Sequence, residues 1–510
     1  MNRTCKLLLV PVFLFLLGFF LFVARHRFID GDEGQYLLAA RLVLEHKVPY
    51  LDFFHNQTPL LSYAYGLWMK LFGISWFSGR SFSGVLTTIL GLLVYQHVCH
   101  ETRRWVAGLT AVVLYVFSIW IFAWFPIAKT FSLAAVFLFG AYVMVSRLSS
   151  ASPPWLVAVA GLLFGLSMDT RSYVAGLGPI FLWWIFRDSE TGSGIARILW
   201  FLGGLIIGIG PSLYFLAVYP DPFLFDNLVF NAMLNGTGPT GGLRLKVRII
   251  RDILLSADGV QLSLLSAISL AAILVLRVRR GATLLAFLLG FVLAFIAVLP
   301  RPSFTQNLSM CVPFLIVAAV CAASDYVTSL RGAWPKRTAV LAGAAVLAIF
   351  VASSLPSFRR YLVTGDRVST LYHARDAQYW TLDAVTAVSK AIDQVAAPNE
   401  EIAAFWPGYI FASKADPYPG FENLFYGAVP RMLTVEQRAR YHIIGSSDIE
   451  ADFAAHKPRV AVFANRDVCG DAPAVSACAK VLLADGYTPV QTVGYTSIFV
   501  CCATRRIAAD

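Results

Sequence analysis

Residues 27–60 read RFIDGDEGQYLLAARLVLEHKVPYLDFFHNQTPL and follow directly on an apolar run over 7–23. Asp30, Asp32 and Glu33 crowd together just after this run. Charge at the edge of a hydrophobic segment is costly unless water or a chemical task retains it. The run is long enough to cross a bilayer, and no small-x-small cleavage site follows it. It therefore reads as a retained first span, with Arg3 and Lys6 on the cytoplasmic side. The acids then stand on the outer side at a lipid surface, where chemistry on a lipid-borne substrate would be done.

The 510 residues are 58% hydrophobic and 14% charged, with mean hydropathy +0.67. This excludes an ordinary soluble domain and implies a polytopic helical membrane protein. A net charge of +11 would suggest nucleic acid in a soluble chain. Here the basic residues sit in short loops between apolar runs, the pattern that sets membrane topology, so nucleic acid is rejected as a partner. Further spans are expected at 82–98, 106–122, 127–145, 155–168, 174–186, 198–218, 260–276, 284–299, 308–323 and 340–355, about eleven with the first. If Arg3 is inside, alternate loops should be basic. They are: Arg103 and Arg104, Arg147, Arg187 and Arg197, Arg277 to Arg280, then Arg331, Lys336 and Arg337. That places the protein in the plasma membrane with its N-terminus cytoplasmic.

Three outer segments result: 24–79, 219–259 and the tail 356–510. The tail is charged and rich in turns, with strand-like runs at 459–464 and 497–502 and a helical pattern over 377–395. It reads as a soluble extracytoplasmic α/β domain, appended to a transmembrane catalytic domain over 1–355. Four of the 8 cysteines, Cys469, Cys478, Cys501 and Cys502, fall there. An outer compartment permits a Cys469–Cys478 bridge, and four unpaired thiols are the alternative.

Within the first outer segment, Tyr36, Leu37, Ala40, Val43 and Leu44 recur at helical spacing. Glu33, Arg41, Glu45 and Lys47 are interspersed on the polar side, which predicts an amphipathic helix in the membrane interface. Asp30 followed by Glu33 suits a capping box at its start. Asp32 is then not needed as a cap and is a candidate general base. After HNQTPL, a second amphipathic run over 60–72, with YAYGLWMKLFG, places aromatics to anchor the chain at the interface.

This succession resembles the first outer loop of the GT-C glycosyltransferases: an acidic pair after the first span, an interfacial helix, PYLDFF, a TPL turn, then YGLWMKLFG. The nearest likeness is to the bacterial protein-mannosyltransferase and aminoarabinose-transferase-like branch (families 39 and 83). The resemblance implies catalysis by the Asp of the Asp–Glu pair, here Asp32, with Glu33 as its partner. It implies a sugar donor on a polyprenyl phosphate and an acceptor hydroxyl on a lipid, glycan or protein. Members of that branch tend to carry a Lys before the Pro-Leu turn; here His55, Asn56 and Gln57 stand there.

A leaving phosphate needs cations. Arg301 in LPRPSFTQN matches the family's PR region and is the first candidate, with Gln306 following it. Arg171 in MDTRSY and Lys129 in FPIAKTFS come next, each with interfacial snorkelling as its alternative. Asp52, His55, Gln57 and Gln306 complete the expected substrate cavity. No metal ligand set is readable, although the acids leave room for a divalent cation. The competing class is a transporter or flippase of lipid-linked sugars. It would show repeats and mid-membrane ionisable groups, whereas the charges here gather at the outer surface.

Overall fold

The apolar runs fold as helices, and helix stands at every expected span. The computed structural model describes residues 2–187, 193–236, 247, 250–251, 253, 255–274, 281–298, 305–365, 374–464 and 482–501. Five described helices are long and apolar enough to cross a membrane: Arg3–His26, Trp76–Thr102, Gly281–Val298, Gln306–Ser329 and Ala333–Thr364. Gly194–Gly208 and Gly210–Val218, bent by 61° at their junction, make a sixth if they are one span. Trp105–Val116, Thr130–Ser146, Pro154–Met168 and Asp258–Ala271 are apolar but only 10–17 residues long. Length and composition thus qualify six segments at most among the described residues, against about eleven expected from hydropathy. Leu7, Leu14, Phe15 and Phe22 on the first helix stand exposed, the surface that lipid covers.

One expected span, 106–122, is broken. Its first helix ends at Val116 and a second begins at Ile119. The backbone groups freed at the break are taken up by Gln261: its Oε1 accepts the Ile119 amide at 2.8 Å, and its Nε2 donates to the Phe117 carbonyl at 2.9 Å. A membrane helix tolerates such a break only where a neighbour supplies these partners. Pro154–Met168 and Gly194–Gly208 pack at unusually short range. A Cβ at Gly161 would lie 1.9 Å from the Phe201 carbonyl oxygen, and one at Gly204 1.8 Å from that of Ala158. Gly165 and Gly208, one turn on, meet the same restriction. Small residues four apart let two backbones approach and supply dispersion contact where lipid offers no hydrophobic drive.

The chain divides into two compact units. The first comprises Met1–Arg25, Ser83–Leu213 and Pro239–Val363. The second gathers His26–Phe82, Tyr214–Gly238 and Thr364–Asp510, so the two outer loops fold with the tail. Its sheet has strands β1 (Glu401–Ala404), β2 (Asp416–Pro417), β3 (Val460–Ala464), β4 (Thr488–Val493) and β5 (Thr496–Val500). Their spatial order is β2-β1-β3-β5-β4, parallel across β2, β1 and β3 and antiparallel beyond. The runs expected at 459–464 and 497–502 are β3 and β5. β3 is buried on both faces, as its unbroken apolar sequence requires. The helix expected over 377–395 starts instead at Leu382, where the Thr381 side chain caps it. Phe405, Phe421, Phe453, Phe463 and Tyr487 fill the core beside the sheet. Residues of all three segments meet in a second cluster, with Phe54 and Phe230 packed beside Val429 and Ile443.

Candidate functional site

In the second unit, helix Glu33–Leu44 begins at the acidic motif. Glu33 completes one half of the expected capping box, because its Oε1 accepts the Asp30 amide at 2.7 Å. The other half differs: the Asp30 carboxylate accepts the Asp32 amide, at 3.2 Å, rather than that of Glu33. Asp32 occupies the N-cap position without capping through its side chain. The three acids are then sharply distinguished. Asp30 is 2% exposed and Glu33 0%, whereas Asp32 is partly exposed.

Glu33 is held by Arg80, from the start of helix Trp76–Thr102. Arg80 Nε donates to Glu33 Oε2 at 2.7 Å and Nη2 to Oε1 at 2.6 Å. Arg80 also donates to the Arg27 and Phe28 carbonyls, at 2.5 and 3.1 Å. Two charges taken wholly out of water survive only with such two-pronged geometry. Arg80 was missed in the sequence, yet a lone Arg at the head of an apolar helix is itself a signal. The polar side of Glu33–Leu44, expected at the membrane interface, is covered by the tail. Arg41, 4% exposed, donates to the Ile410, Ser413 and Ala415 carbonyls at 2.8–2.9 Å and pairs with Glu45 at 2.6 Å. Helix Leu60–Phe72 matches its expected bounds and leaves Tyr63, Leu67, Leu71 and Phe72 exposed, an apolar side suited to anchoring.

The remaining first-loop candidates have local tasks. Asp52 Oδ2 accepts the Val48 amide at 2.6 Å, and the Gln57 carbonyl accepts the Tyr50 hydroxyl at 2.6 Å. His55 is buried. Its Nε2 pairs with the Ser62 hydroxyl at 3.0 Å, and its amide donates to Asp226 Oδ2 at 2.8 Å. Burial pushes the His55 imidazole down to about 4. It raises the Asp226 carboxyl well above the usual carboxylate range, against the opposing pull of the His55 amide. Asp226 sits on the π-helical turn Phe225–Val229 of the second outer loop. Its Oδ1 is buried with no hydrogen-bond partner among the described residues.

In the first unit, two expected cations come together. Lys129 Nζ donates to Gln306 Oε1 at 2.8 Å, and Arg171 Nη2 donates to Asn307 Oδ1 at 2.6 Å. Arg171 Nη1 also donates to the hydroxyl of Thr130. Adjacent amides on the 3-10 turn Thr305–Cys311 thus each anchor one of the two cations. Arg171 lies over the rings of Phe131 and Tyr173, at 4.3 and 4.9 Å. Its Nε is buried without a hydrogen-bond partner among the described residues, whereas most buried donors are paired. Arg301 lies outside the described residues, as do Cys469, Cys478 and Cys502. Among the described residues no group of three His, Cys, Asp or Glu side chains could hold a metal ion.

Residues 56–215 match the family described as dolichyl-phosphate-mannose-protein mannosyltransferase. No curated protein sequence matches the chain. Among solved structures it is similar to ArnT from Cupriavidus metallidurans bound to undecaprenyl phosphate. That likeness has 14% identity, 99% coverage of both chains and a TM-score of 0.64. The apo state of the same protein gives 13% identity, 97% coverage of both chains and the same TM-score of 0.64. The chain therefore shares the fold of that ArnT structure over essentially its whole length, with several helices long and apolar enough to cross a membrane, and its residues 56–215 match the mannosyltransferase family model.

Proposed function

We propose that the protein is an inverting glycosyltransferase. It moves a hexosyl or pentosyl group from a polyprenyl-phosphate donor to an acceptor hydroxyl on the outer face of the plasma membrane. The observation that carries this reading is the difference in exposure among the three acids: Asp30 and Glu33 are buried, while Asp32 stays partly exposed on a firmly held turn. Asp32 takes the proton of the acceptor hydroxyl, and the acceptor oxygen bonds to the anomeric carbon from the side opposite the phosphate. The bond from that carbon to the phosphate oxygen breaks, its electron pair staying on the phosphate. Charge that develops on the departing phosphate is of the kind that cations meet. In the second unit, Glu33 acts through Arg80 to hold the turn of Asp32. In the first unit, taken by itself, Lys129 and Arg171, anchored by Gln306 and Asn307, suit a phosphate ligand.

The donor class is supported by the similar ArnT structure, which binds undecaprenyl phosphate. It is supported equally by the matching family's name, which specifies dolichyl-phosphate-mannose. Both are polyprenyl phosphates. A cytoplasmic N-terminus and extracytoplasmic tail follow from the alternation of basic loops. The acceptor is a lipid, glycan or protein hydroxyl. The test is purified protein incubated with a panel of polyprenyl-phosphate sugars and candidate acceptors, with products read by mass spectrometry. Transfer by the native protein and a loss of about 10³-fold in Asp32→Asn are expected. Native-like turnover by that variant sinks the base assignment. Movement of the intact lipid-linked sugar across liposomes without cleavage sinks the transferase reading in favour of a flippase.

A further inference from the structure

The turn bearing Asp32 is gripped from the C-terminal segment of the same compact unit. The indole N–H of Trp406 donates to the Gly31 carbonyl at 2.8 Å, across 375 residues of sequence. Trp406 is 0% exposed. Three rings pack around it: Trp76 stacks on it at 5.6 Å, and Trp380 and Tyr409 meet it edge-on at 5.0 and 4.9 Å. The Trp380 carbonyl accepts the Ile29 amide at 2.7 Å. On the far side of Asp32, a Cβ at Gly34 would come within 2.5 Å of the Gly408 nitrogen. Ile29, Gly31 and Gly34 are thus all pinned by residues 380–408, and Asp32 lies between the pins.

Burial of an aromatic ring would need none of this directionality. A tryptophan N–H satisfied inside a protein is a specific requirement, and its acceptor here is the carbonyl of the residue immediately before Asp32. We infer that Trp406 is a positioning residue for the reaction, its indole N–H setting where the Asp32 carboxylate stands. This rests on the reading of Asp32 as the base. The C-terminal segment then influences the rate without touching the reacting groups. Losing the N–H leaves the Gly31 carbonyl buried and unpaired, and the turn relaxes. A displacement of about 1 Å in a reacting group costs about 10²-fold in rate.

The experiment compares three proteins with the native one. Trp406→Phe keeps a ring and removes the donor. Incorporation of 3-benzothienylalanine at position 406 keeps the bicyclic shape without an N–H and serves if Trp406→Phe does not fold. Trp380→Phe is the packing control: it trims a ring beside Trp406 and leaves the N–H in place. Carbodiimide labelling of Asp32 in the intact purified protein, read by mass spectrometry against Glu45, reports the carboxylate's position without turnover. Loss of the N–H should shift that ratio severalfold, whereas Trp380→Phe should leave it native. With the best donor of the panel, single-turnover transfer should fall about 10²-fold while the Kd for undecaprenyl phosphate stays native.

A native labelling ratio in the proteins lacking the N–H overturns the inference. So does a Trp380→Phe protein that changes as much as they do, or a loss of donor affinity and melting temperature in step with rate. Asp32→Asn run in parallel separates the two readings. If it abolishes transfer while loss of the N–H does nothing, positioning by Trp406 fails alone; if it turns over normally, the base assignment fails first.

Discussion

Replacing Arg80 by Met should be among the most damaging single changes in the second compact unit, and its cost can be worked from the geometry. Both side chains of the Arg80–Glu33 pair are 0% exposed. Removing one partner strands a buried carboxylate, which costs about 3–5 kcal/mol. The Arg27 carbonyl loses its 2.5 Å donor as well, for about 1–3 kcal/mol more, less than additively. The Phe28 carbonyl keeps a donor in Arg27 Nη1 at 2.5 Å. Glu33→Leu together with Arg80→Met removes both charges. It leaves the Asp30 amide and the Arg27 carbonyl without those partners but strands no charge, so the double variant should be more stable than Arg80→Met alone by about 2 kcal/mol or more. Melting of the four proteins in one detergent closes the double-mutant cycle. Additive losses, or an Arg80→Met protein that melts like the native one, would refute the claim that this ion pair holds the acidic turn.

The first unit offers a sharp steric test: Gly161→Leu drives a side chain into the Phe201 backbone and should cost more than about 3 kcal/mol. Gly203→Ala, where nothing lies within 4 Å, should melt like the native protein. His55 gives a pH dependence. Its folded value of about 4 lies below the unfolded 6.5, so the folded protein binds fewer protons between them. Its contribution is full above pH 6.5 and is lost as pH falls to about 4, by up to about 3 kcal/mol. Melting followed over that range should flatten in His55→Gln. Asp226 has the opposite sign: its raised value stabilises at low pH and is lost as pH rises through it, so Asp226→Asn should stabilise the protein at high pH. Arg171→Gln should weaken binding of undecaprenyl phosphate about tenfold or more. Asn307→Leu should weaken it less, because the cation remains and only its anchor is lost; equal affinities in a direct binding measurement would remove Arg171 from the phosphate site.

Much of this was readable before any coordinates. Whether a segment becomes helix in a membrane depends on its own hydropathy, because a backbone in lipid must satisfy itself within the segment. That is why helix stands at every expected span and why 60–72 is matched to the residue. The pairing of Lys129 with Gln306 and of Arg171 with Asn307 was half legible. The cations and Gln306 stood out by type and position, whereas Asn307 carried no such signal. The break at Ser118 was invisible because the partner that permits it, Gln261, lies 142 residues from Ile119.

By itself the sequence determined a polytopic helical protein, an acidic turn after the first span and a mixed α/β tail, since hydropathy and periodicity are properties of neighbouring residues. Only the tertiary structure decided which acid stays partly exposed. Asp30, Asp32 and Glu33 are nearly equivalent as letters. They are separated by Arg80, at a distance of 47 residues, and by a tail whose Trp406 and Gly408 close on the same turn. Hydrogen bonds and steric contact act through space, and no local pattern records which distant residue will supply them.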